Sequence, residues 1–385
     1  MNRDKEKTMY RNGALENYIK ELLENSTIET PLWNVEKRKG NTGSTWNYID
    51  GCMIKALMEF GKISGRREFL DYARAFIDRR VNEDGTIDGY NIEKYNLDDI
   101  NSGKTLFELF KMTGKKKYSI AVENIYRQVK GQPRTSEGNF WHKLIYPDQV
   151  WLDGFYMVQP FYMQYETSLN DRKNYNDIFA QFRLARDNMR DPATGLYYHG
   201  YDCSRKIFWC DKTTGLSKNF WLRSMGWFAM ALVDTIEQCD PAGFEEETGM
   251  LKEMFADLMK SLLKYKSENN FWYQVVNMPD ATGNYEETSG TSIMAYALLK
   301  GTRLGLLPAK YAETGKAVFE SICKRYIDEN GVMKLGGICL VAGLGPENNT
   351  RRDGSLEYYF SEPVVENDAK GVGPFLLAYT EMIRM

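Results

Sequence analysis

Apolar residues recur at three- and four-residue steps along most of the chain, which is the spacing of one face of an α-helix. One such stripe runs from Ile49 to Phe60 and another from Leu222 to Ile236. Strand-like alternation is confined to short pieces inside loops, such as residues 271–276. The pattern predicts twelve helices, over residues 13–25, 45–63, 66–81, 98–113, 115–130, 151–167, 171–189, 221–238, 245–264, 288–304, 308–326 and 374–384.

The loops between the predicted helices alternate in length. Tight turns such as Ser64-Gly65 follow even-numbered helices, whereas a long loop precedes each of them. This alternation indicates six helical hairpins with a period of roughly 50–75 residues. The predicted helix over 171–189 is studded with charges, whereas the one over 288–304 carries few. We therefore expect odd-numbered helices to lie outside and even-numbered helices to lie inside.

Two concentric rings of helices follow from this arrangement. We predict an all-α fold, an (α/α)6 toroid of six helical hairpins, in one domain over residues 1–385 with a loose segment at 1–12. An open superhelical solenoid is the alternative. In the toroid the inner helices run parallel, so their N-termini and the long loops share one rim. Helix N-termini carry partial positive charge and free N–H groups, which favours an anionic ligand at that rim.

Composition argues against several classes of function. Lys and Arg total 50 against 53 for Asp and Glu, a net charge of −3, which is unlike the positive coat of a nucleic-acid-binding protein. No apolar run approaches a membrane span and the charged N-terminus lacks a secretory signal, so we expect a cytoplasmic protein without a membrane partner. The six scattered cysteines are expected to be reduced and mostly buried. Because the chain has only two histidines, a histidine-based metal centre or a Ser-His-Asp triad is not expected.

Two acidic positions near the starts of predicted inner helices are candidate catalytic groups. Asp153 has aromatic and apolar neighbours. Burial raises the pKa of a carboxyl group, as a general acid at neutral pH requires, although an acid that stabilises the helix dipole is an equal alternative. Asp98-Asp99 opens another inner helix, where one acid can cap the helix and the other is left for a site. Pro160 is expected to kink the helix of Asp153, because it removes a backbone donor.

Basic and aromatic residues near the same rim suit a ring-shaped ligand that carries a carboxylate. Arg223 and Trp227 lie four residues apart, which sets a guanidinium beside an indole. The alternative is that Arg223 forms an ion pair and that Trp227 is part of the core. His142 and His199 are embedded in aromatic loop tips. Three further residues are expected to contact the ligand because of their position: Trp46, Lys143 and Trp151.

Six segments in order resemble a known family. They are Asn96-Leu97-Asp98-Asp99-Ile100, His142 with Trp151-Leu152-Asp153 to Pro160, Gly195-Leu196-Tyr197-Tyr198-His199-Gly200, Phe220-Trp221-Leu222-Arg223-Ser224-Met225-Gly226-Trp227, Glu287-Thr288-Ser289-Gly290-Thr291 and Asn367-Asp368-Ala369-Lys370-Gly371-Val372-Gly373-Pro374-Phe375. In order and spacing the chain resembles the unsaturated rhamnogalacturonyl hydrolases, glycoside hydrolase family 105, over essentially residues 30–385. One departure is visible: the family commonly reads Arg-Gly-Asn-Gly-Trp at 223–227. The changed pair bears on substrate preference more than on the reaction.

The resemblance implies a function and roles for the candidate residues. Family members fold as six-hairpin α/α toroids and remove the 4,5-unsaturated uronic acid that polysaccharide lyases leave at a non-reducing end, with rhamnose the best-known neighbouring sugar. It implies that Asp153 protonates C4 as general acid/base while water adds at C5, and that Asp98, or else Asp99, is the second acid. No metal or organic cofactor is implied, and the partner is a small oligosaccharide. Substrate contacts are implied at His142, His199, Arg223 and Trp227.

Two other functions stay open on the sequence alone. An inverting glycosidase acting on saturated oligosaccharides would use the same toroid, because a fold does not decide the chemistry of its site. A helical-repeat scaffold that binds a partner protein is the second alternative. Aromatic-rich loops gathered on one rim are not typical of such a scaffold.

Overall fold

Helices make up most of the structure, a computed structural model that describes residues 13–40 and 43–385. The outer helices, numbered along the chain, are α1 (Ala14–Glu24), α4 (Arg67–Asp78), α6 (Lys116–Gly131), α8 (Tyr175–Met189), α10 (Glu245–Leu263) and α12 (Lys310–Tyr326). The inner helices are α3 (Tyr48–Ser64), α5 (Lys104–Thr113), α7 (Leu152–Leu169), α9 (Leu222–Gln238), α11 (Thr288–Arg303) and α14 (Ala369–Arg384). Shorter helices are α2 (Val35–Arg38), α13 (Leu356–Ser361) and two 3-10 helices, Ile92–Lys94 and Leu97–Gly103. The predicted loose segment 1–12 lies outside the described residues.

The inner helices form a closed ring. α3 packs against the 3-10 helix Leu97–Gly103, which packs against α7. α7 packs against α9, α9 against α11, and α11 against α14. α14 then packs against α3 and closes the ring, while outer helices such as α12 cover it from outside. This arrangement confirms the predicted all-α toroid and excludes an open solenoid.

The inner and outer helices differ in how much of their surface is buried, as the sequence pattern predicted. α4 buries the stripe Phe69, Ala73, Phe76 and Ile77, whereas α11 is buried over the whole of Thr288–Gly301. Small residues on the inner helices allow them to approach closely. A Cβ on Gly51 of α3, for example, would lie 2.5 Å from the hydroxyl of Ser102, so only glycine fits this contact.

Two antiparallel strand pairs lie in the long loops. β1 (Gln149–Trp151) pairs with β2 (Gly200–Asp202), which ties the loop before α7 to the loop before α9. β3 (Ile338–Cys339) pairs with β4 (Val364–Val365) in the loop before α14. The predicted strand-like piece 271–276 contributes isolated bridges within this loop layer.

Three predicted helix starts need correction. The segment 98–113 begins as the 3-10 helix Leu97–Gly103 and becomes α-helical only at Lys104. The helix predicted over 171–189 begins at Tyr175, because Asp171 and Arg172 have positive φ angles of 50° and 62°. The last helix begins at Ala369 and not at 374, since the side chain of Asp368 caps it.

The helix of Asp153 runs without a break through Pro160. Proline has no N–H, so the carbonyl of Tyr156, four residues earlier, loses its helical partner. The Nζ atom of Lys104 lies 3.1 Å from this carbonyl oxygen and 3.5 Å from the centroid of the Tyr156 ring. Burial lowers the pKa of Lys104 to about 7. A buried lysine thus supplies the donor that the proline removes.

The structure agrees with the expectation that the cysteines are reduced and mostly buried. All six cysteines are free thiols, and Cys52, Cys210, Cys323 and Cys339 are buried. Across residues 13–40 and 43–385, no helix has the length and apolar character needed to span a lipid bilayer.

The contact between Lys104 and Tyr156 predicts an energetic coupling between Lys104 and Pro160. Lys104→Met should lower the free energy of unfolding by about 1–3 kcal/mol, because the carbonyl of Tyr156 is left buried without a donor. In a Pro160→Ala background the same change should cost clearly less, since the alanine N–H can bond to that carbonyl. Urea unfolding of the wild type, both single variants and the double variant measures the coupling. Equal losses in the two backgrounds would contradict this account.

Candidate active site

Acidic or amide side chains close the N-termini of several inner helices. Glu287 accepts hydrogen bonds from the N–H groups of Ser289 (3.0 Å) and Gly290 (2.7 Å) at the start of α11. Asp368 accepts from the N–H of Lys370 (3.0 Å) at the start of α14. Asn47 caps α3 in the same manner. Side chains of the protein therefore already use the partial positive charge at these helix ends.

The N-termini of α7 and α9 are different. They follow Trp151 and Trp221, and neither tryptophan makes a side-chain cap hydrogen bond. Asp153 is the second residue of α7, and Arg223 is the second residue of α9. The two helix ends without a side-chain cap thus carry two of the candidate residues, at the rim that the sequence predicted for a ligand. Their first N–H groups, those of Leu152 and Leu222, donate to the carbonyl oxygens of His199 and Gln274.

Three aromatic side chains form a continuous wall on this rim. The ring of His142 stacks on Trp151, with 4.4 Å between centroids and 15° between planes. Trp151 meets His199 edge-on at 5.8 Å. Tyr146 stacks on Trp151 at 4.7 Å and on His142 at 6.2 Å, and the indole N–H of Trp151 donates to Gln149. We call His142, Trp151 and His199 the aromatic wall.

Asp98 lies at one end of the aromatic wall. Its carboxylate is 2.7 Å from Nζ of Lys143 and 3.5 Å from Nε2 of His142. Burial alone would raise the pKa of Asp98, but the charge of Lys143, assisted by His142, holds it below its usual value. Burial lowers the pKa of His142 to about 4, so the imidazole is neutral at neutral pH and Asp98 is ionised.

Asp153 lies at the opposite end of the aromatic wall. Its Oδ2 atom is 3.4 Å from Nε2 of His199, but the two atoms are not aligned as a hydrogen bond. Both atoms are buried and lack a hydrogen-bond partner among the described residues. Buried polar atoms without partners are uncommon in folded proteins and mark places where a ligand or water completes the bonding.

Tyr359 fixes the other side of His199. Its hydroxyl lies 2.7 Å from Nδ1 of His199. Burial raises the pKa of Tyr359 well above its usual value, so the phenol keeps its proton and can donate it to Nδ1. A neutral imidazole that accepts at Nδ1 carries its own proton on Nε2, the atom that faces Asp153. We therefore predict that Tyr359 donates to Nδ1 and selects this tautomer of His199.

Gly154 makes room for the aromatic wall. A Cβ at this position would lie 2.9 Å from Nδ1 of His142 and 3.0 Å from a methyl carbon of Leu97. The first turn of α7 must therefore expose bare backbone to the imidazole. On the opposite side, the N–H of Leu152 donates to the carbonyl of His199 at 3.1 Å, which fixes the two loops against each other.

Asp98 and Asp99 have different surroundings. The expectation that one of them caps the helix is wrong, because the side chain of Asn96 accepts the N–H of Asp98 and is the cap. Asp99 is buried, and the indole of Trp46 donates to its carbonyl oxygen at 2.7 Å. Burial, assisted by the charge of Asp98, raises the pKa of Asp99 to about 7. Asp98, and not Asp99, carries the contacts to Lys143 and His142.

Arg223 is buried, and its direct partners are neutral acceptors, while the charges of Glu287 and Asp368 act on its guanidinium from farther away. Its guanidinium contacts the hydroxyl of Ser289 at 3.2 Å and the carbonyl oxygens of Cys339 and Leu340. In the described part of the chain no carboxylate lies within ion-pair distance of it, so the predicted alternative of an ion pair does not hold. Its Nε atom is buried and has no partner there.

Trp227 lies one helical turn deeper than Arg223. It is 1% exposed, and its ring stacks on Tyr156 with 5.0 Å between centroids. This is a core position beneath the rim, as the alternative interpretation of the sequence expected. A direct contact of Trp227 with substrate stays a prediction.

Several residues of the rim were absent from the predicted site. Tyr48, at the start of α3, is close enough for the charges of Arg223 and Asp98 to act on its pKa, which burial raises. Glu287 and Asp368 lie in segments that the sequence singled out, and their capping role could have been read from the position before a helix. Tyr359 gave no signal, because a tyrosine in a long loop has no periodicity and no motif around it.

Comparison with known proteins identifies the family. The model of Glycosyl Hydrolase Family 88 matches residues 23–385. The chain belongs to this family of glycoside hydrolases. A solved glycoside hydrolase of family 105 from C. acetobutylicum ATCC 824 is 40% identical and superposes with a TM-score of 0.87, covering 97% of this chain and 99% of that one. The resemblance to family 105 is thereby confirmed, and the family supports a hydrolase rather than a binding scaffold.

Two curated proteins are also similar to this hydrolase. Protein Atu3128 of Agrobacterium fabrum is 38% identical over 233 residues, which cover 59% of this chain and 98% of that protein. The unsaturated rhamnogalacturonyl hydrolase YesR of Bacillus subtilis is 24% identical over 305 residues, which cover 77% of this chain and 81% of that protein.

Within 13–40 and 43–385, no three His, Cys, Asp or Glu side chains are grouped so that they could hold a metal ion. The two histidines instead contact carboxylates, a tyrosine hydroxyl and the indole of Trp151.

Tyr359→Phe tests the assigned tautomer of His199. The hydrolase has only two histidines, so nitrogen NMR of the imidazole rings gives a simple spectrum in which His142 is the internal control. In the wild type we expect the proton of neutral His199 on Nε2, and in Tyr359→Phe a mixture of both tautomers. The kcat should fall by at least about tenfold, because an imidazole in the wrong tautomer loses its function.

A neighbouring tyrosine supplies the control for this variant. The hydroxyl of Tyr358 accepts the N–H of Gly343 at 2.9 Å and does not touch His199. Tyr358→Phe should leave the His199 spectrum unchanged. An unaltered spectrum in Tyr359→Phe, or a wild-type proton on Nδ1, would contradict the assignment.

Asp99→Asn should raise stability at high pH and not at low pH. The pKa of Asp99 is raised on folding, so the folded state binds its proton more tightly and stability falls as pH rises from about 4 to about 7. The amide side chain of the variant does not ionise, so it causes no such loss of stability. The free energy of unfolding of the variant minus that of the wild type should therefore be about 2–3 kcal/mol larger at pH 8 than at pH 5. Asp84→Asn, at an exposed turn, is the control in which no such improvement is expected.

Proposed function

We propose that this hydrolase removes a 4,5-unsaturated uronic acid from the non-reducing end of lyase-generated oligosaccharides by hydration of the C4=C5 bond. The observation that carries the proposal is the placement of Asp98 and Asp153 at the two ends of one aromatic wall, beside two uncapped helix N-termini. The similarity to YesR, an unsaturated rhamnogalacturonyl hydrolase, supports this proposal. We propose unsaturated galacturonyl-rhamnose as the substrate.

The proposed chemistry starts from an enol ether. A proton adds to C4, and the hydroxyl of a water molecule adds to C5, so the water supplies both the oxygen and a replacement proton for the enzyme. The product at C5 is a hemiketal, which opens to a ketone. The former ring oxygen then belongs to a hemiacetal at C1, and its collapse to an aldehyde releases the remaining sugar. No bond to the anomeric carbon is attacked, so no carboxylate nucleophile is required, in contrast to retaining glycosidases.

Asp153 is the proposed donor of the proton to C4 and acceptor of the proton from water. Its Oδ2 atom has no hydrogen-bond partner, so it is available to a bound substrate or water. His199, fixed by Tyr359, faces the same oxygen atom with Nε2 and can keep the carboxyl group in place through both proton transfers. Hydrogen bonds of this kind are often long before the substrate binds.

Asp98 is the proposed second acid. With Lys143 as its countercharge it stays ionised, and an ionised carboxylate accepts hydrogen bonds from sugar hydroxyl groups. Neutral His142 and the face of Trp151 offer a flat surface on which a sugar ring can stack. Asp99 is the weaker candidate, because its pKa is near 7 and its neighbour is Trp46 and not the aromatic wall.

The carboxylate of the uronic acid is proposed to lie near the start of α9. There the N-terminus of a helix without a side-chain cap and the guanidinium of Arg223 provide positive charge. Arg223 has no carboxylate partner among the described residues, and its Nε atom is unbonded. Trp46, Lys143, Trp151 and Trp227 are proposed to complete the binding surface.

Asp153→Asn tests the proposed reaction. The amide keeps the size of the carboxyl group but cannot deliver a proton, so kcat should fall by at least about 10²–10⁴-fold. The loss of ultraviolet absorbance of the C4=C5 bond measures the rate. In heavy water, the wild-type product should carry one solvent deuterium at C4.

The same assay separates the proposal from its rival. An inverting glycosidase would cleave the saturated disaccharide as fast as the unsaturated one, and would leave no deuterium at C4. A folded Asp153→Asn enzyme that keeps more than about a tenth of wild-type activity would assign the proton to another group, with Asp98 the next candidate.

A further inference from the structure

Glu287 has more partners than a helix cap requires. It is fully buried, and its Oε1 atom accepts the N–H of Ser289 at 3.0 Å, the hydroxyl of Ser289 at 2.6 Å and the N–H of Cys339 at 3.0 Å. Its Oε2 atom accepts the N–H of Gly290 at 2.7 Å. One side chain therefore ties the start of α11 to strand β3.

The groups that Glu287 holds are also the acceptors of Arg223. Nη1 of Arg223 donates to the hydroxyl oxygen of Ser289 at 3.2 Å and to the carbonyl oxygen of Cys339. Because the Ser289 hydroxyl gives its own hydrogen to Glu287, its oxygen presents lone pairs to the guanidinium. Cys339 likewise faces Glu287 with its N–H and Arg223 with its carbonyl oxygen. Glu287 thus orients both acceptors of Nη1.

Close packing of α9 against α11 brings these groups together. A Cβ on Gly290 would overlap the side chain of Leu222, the residue before Arg223, and would lie 3.2 Å from Oε2 of Glu287. Only a glycine lets the two helix starts approach so closely while the carboxylate of Glu287 caps one of them. The contact between Ser289 and Arg223 depends on this approach.

The second edge of the guanidinium is left without a close partner. Among the described residues the buried Nε atom has none, and Nη2 has one long contact, 3.5 Å to the carbonyl oxygen of Leu340. The N–H of Nε and one N–H of Nη2 are parallel, and such a pair can bind both oxygens of a carboxylate. The Nη1 side of Arg223 is thus held by the protein, whereas the Nε–Nη2 edge can serve a ligand.

The serine between the two charges has an electrostatic consequence. A direct ion pair with Glu287 would occupy the guanidinium and would cancel much of its attraction for a second carboxylate. Ser289 instead accepts from Arg223 and donates to Glu287, so the guanidinium is oriented without contact to a protein carboxylate in the described part of the chain.

We propose that Glu287 is a positioning residue: through Ser289 and the backbone of Cys339 it holds Nη1 of Arg223 and turns the Nε–Nη2 edge toward the carboxylate of the uronic acid. The inference rests on the proposed function, because it assigns what prepares Arg223 for that carboxylate. Glu287 does not touch the substrate. Its effect on the reaction passes through the orientation of one guanidinium group.

The free acid and the methyl ester of one unsaturated disaccharide test this role. Ser289→Ala removes the hydroxyl between Glu287 and Arg223 and leaves the backbone N–H bonds to Glu287 in place. The kcat/KM for the acid should fall by about ten- to a hundredfold, because a misplaced guanidinium no longer meets both carboxylate oxygens. The kcat/KM for the neutral ester should change by less than about threefold, so the ratio of acid to ester reports on Arg223 and not on general damage.

Thr291→Val is the matched control in the same helix. The buried hydroxyl of Thr291 donates to the carbonyl oxygen of Glu287 at 2.7 Å and accepts the N–H of Trp272 at 3.2 Å, and it has no hydrogen bond to Arg223. This variant should lose stability but keep the acid-to-ester ratio of the wild type. Glu287→Gln sets an amide among the same donors and should lower the ratio as Ser289→Ala does. If Glu287→Gln does not fold, Ser289→Ala decides the test.

Nitrogen NMR of the arginine side chains tests the contact without a substrate. In the wild type, Nη1 and Nη2 of Arg223 should give separate signals, because the held guanidinium cannot rotate freely. Arg223→Lys lacks these signals and therefore assigns them. In Ser289→Ala the two signals should average, whereas Thr291→Val should keep them apart.

Together the two measurements separate failure of this inference from failure of the proposed function. If the wild type hydrolyses no unsaturated substrate but the Arg223 signals average in Ser289→Ala and not in Thr291→Val, the reaction is wrong and the positioning of Arg223 is supported. If unsaturated substrate is hydrolysed and Ser289→Ala lowers kcat/KM equally for acid and ester, or changes neither, Glu287 is only a helix cap and the inference is wrong.

Discussion

The contact of α14 with both α11 and α3 closes the inner ring, and the position of each residue of the rim depends on this closure. In a closed ring of parallel inner helices, the loops that lead into them must gather at one end. Asp98 precedes α5, Asp153 begins α7 and Arg223 begins α9, so residues separated by more than a hundred positions come to lie on one rim. An open solenoid would spread the same helix starts along a line and would separate the two carboxyl groups.

Within that rim, the aromatic wall separates two carboxyl groups that have different partners. Asp98 has a permanent countercharge in Lys143, whereas Asp153 faces an imidazole whose other nitrogen is bonded to a tyrosine. Enzymes that assign different roles to two acids do so through such differences in surroundings. Tyr359 takes part in this difference, because it is bonded to the imidazole that faces Asp153.

Sequence reasoning reached the fold and the candidate acids but not their supports. The alternation of short and long loops was sufficient for the toroid, because each hairpin repeats the same constraint. Asp153 and Arg223 were found because a polar residue at the start of an apolar helix is visible in one dimension. Tyr359 and the donor role of Lys104 were missed, since each depends on a contact between segments that only the closed ring brings together. The start of α14 was misplaced because Pro374 resembles a first helical residue, whereas the capping side chain of Asp368 lies six residues earlier.

The helix starts on the rim differ in the charge that surrounds them. Glu287 and Asp368 cap the starts of α11 and α14, and Asp153 lies in the first turn of α7. The first turn of α9 carries Arg223 and no acidic residue. Among these four helix starts, that of α9 is therefore the most favourable to a carboxylate, because the helix dipole and a guanidinium act there in the same direction. The absence of an acidic residue at this helix start and the presence of one arginine together support the proposal that the uronate carboxylate lies at the start of α9.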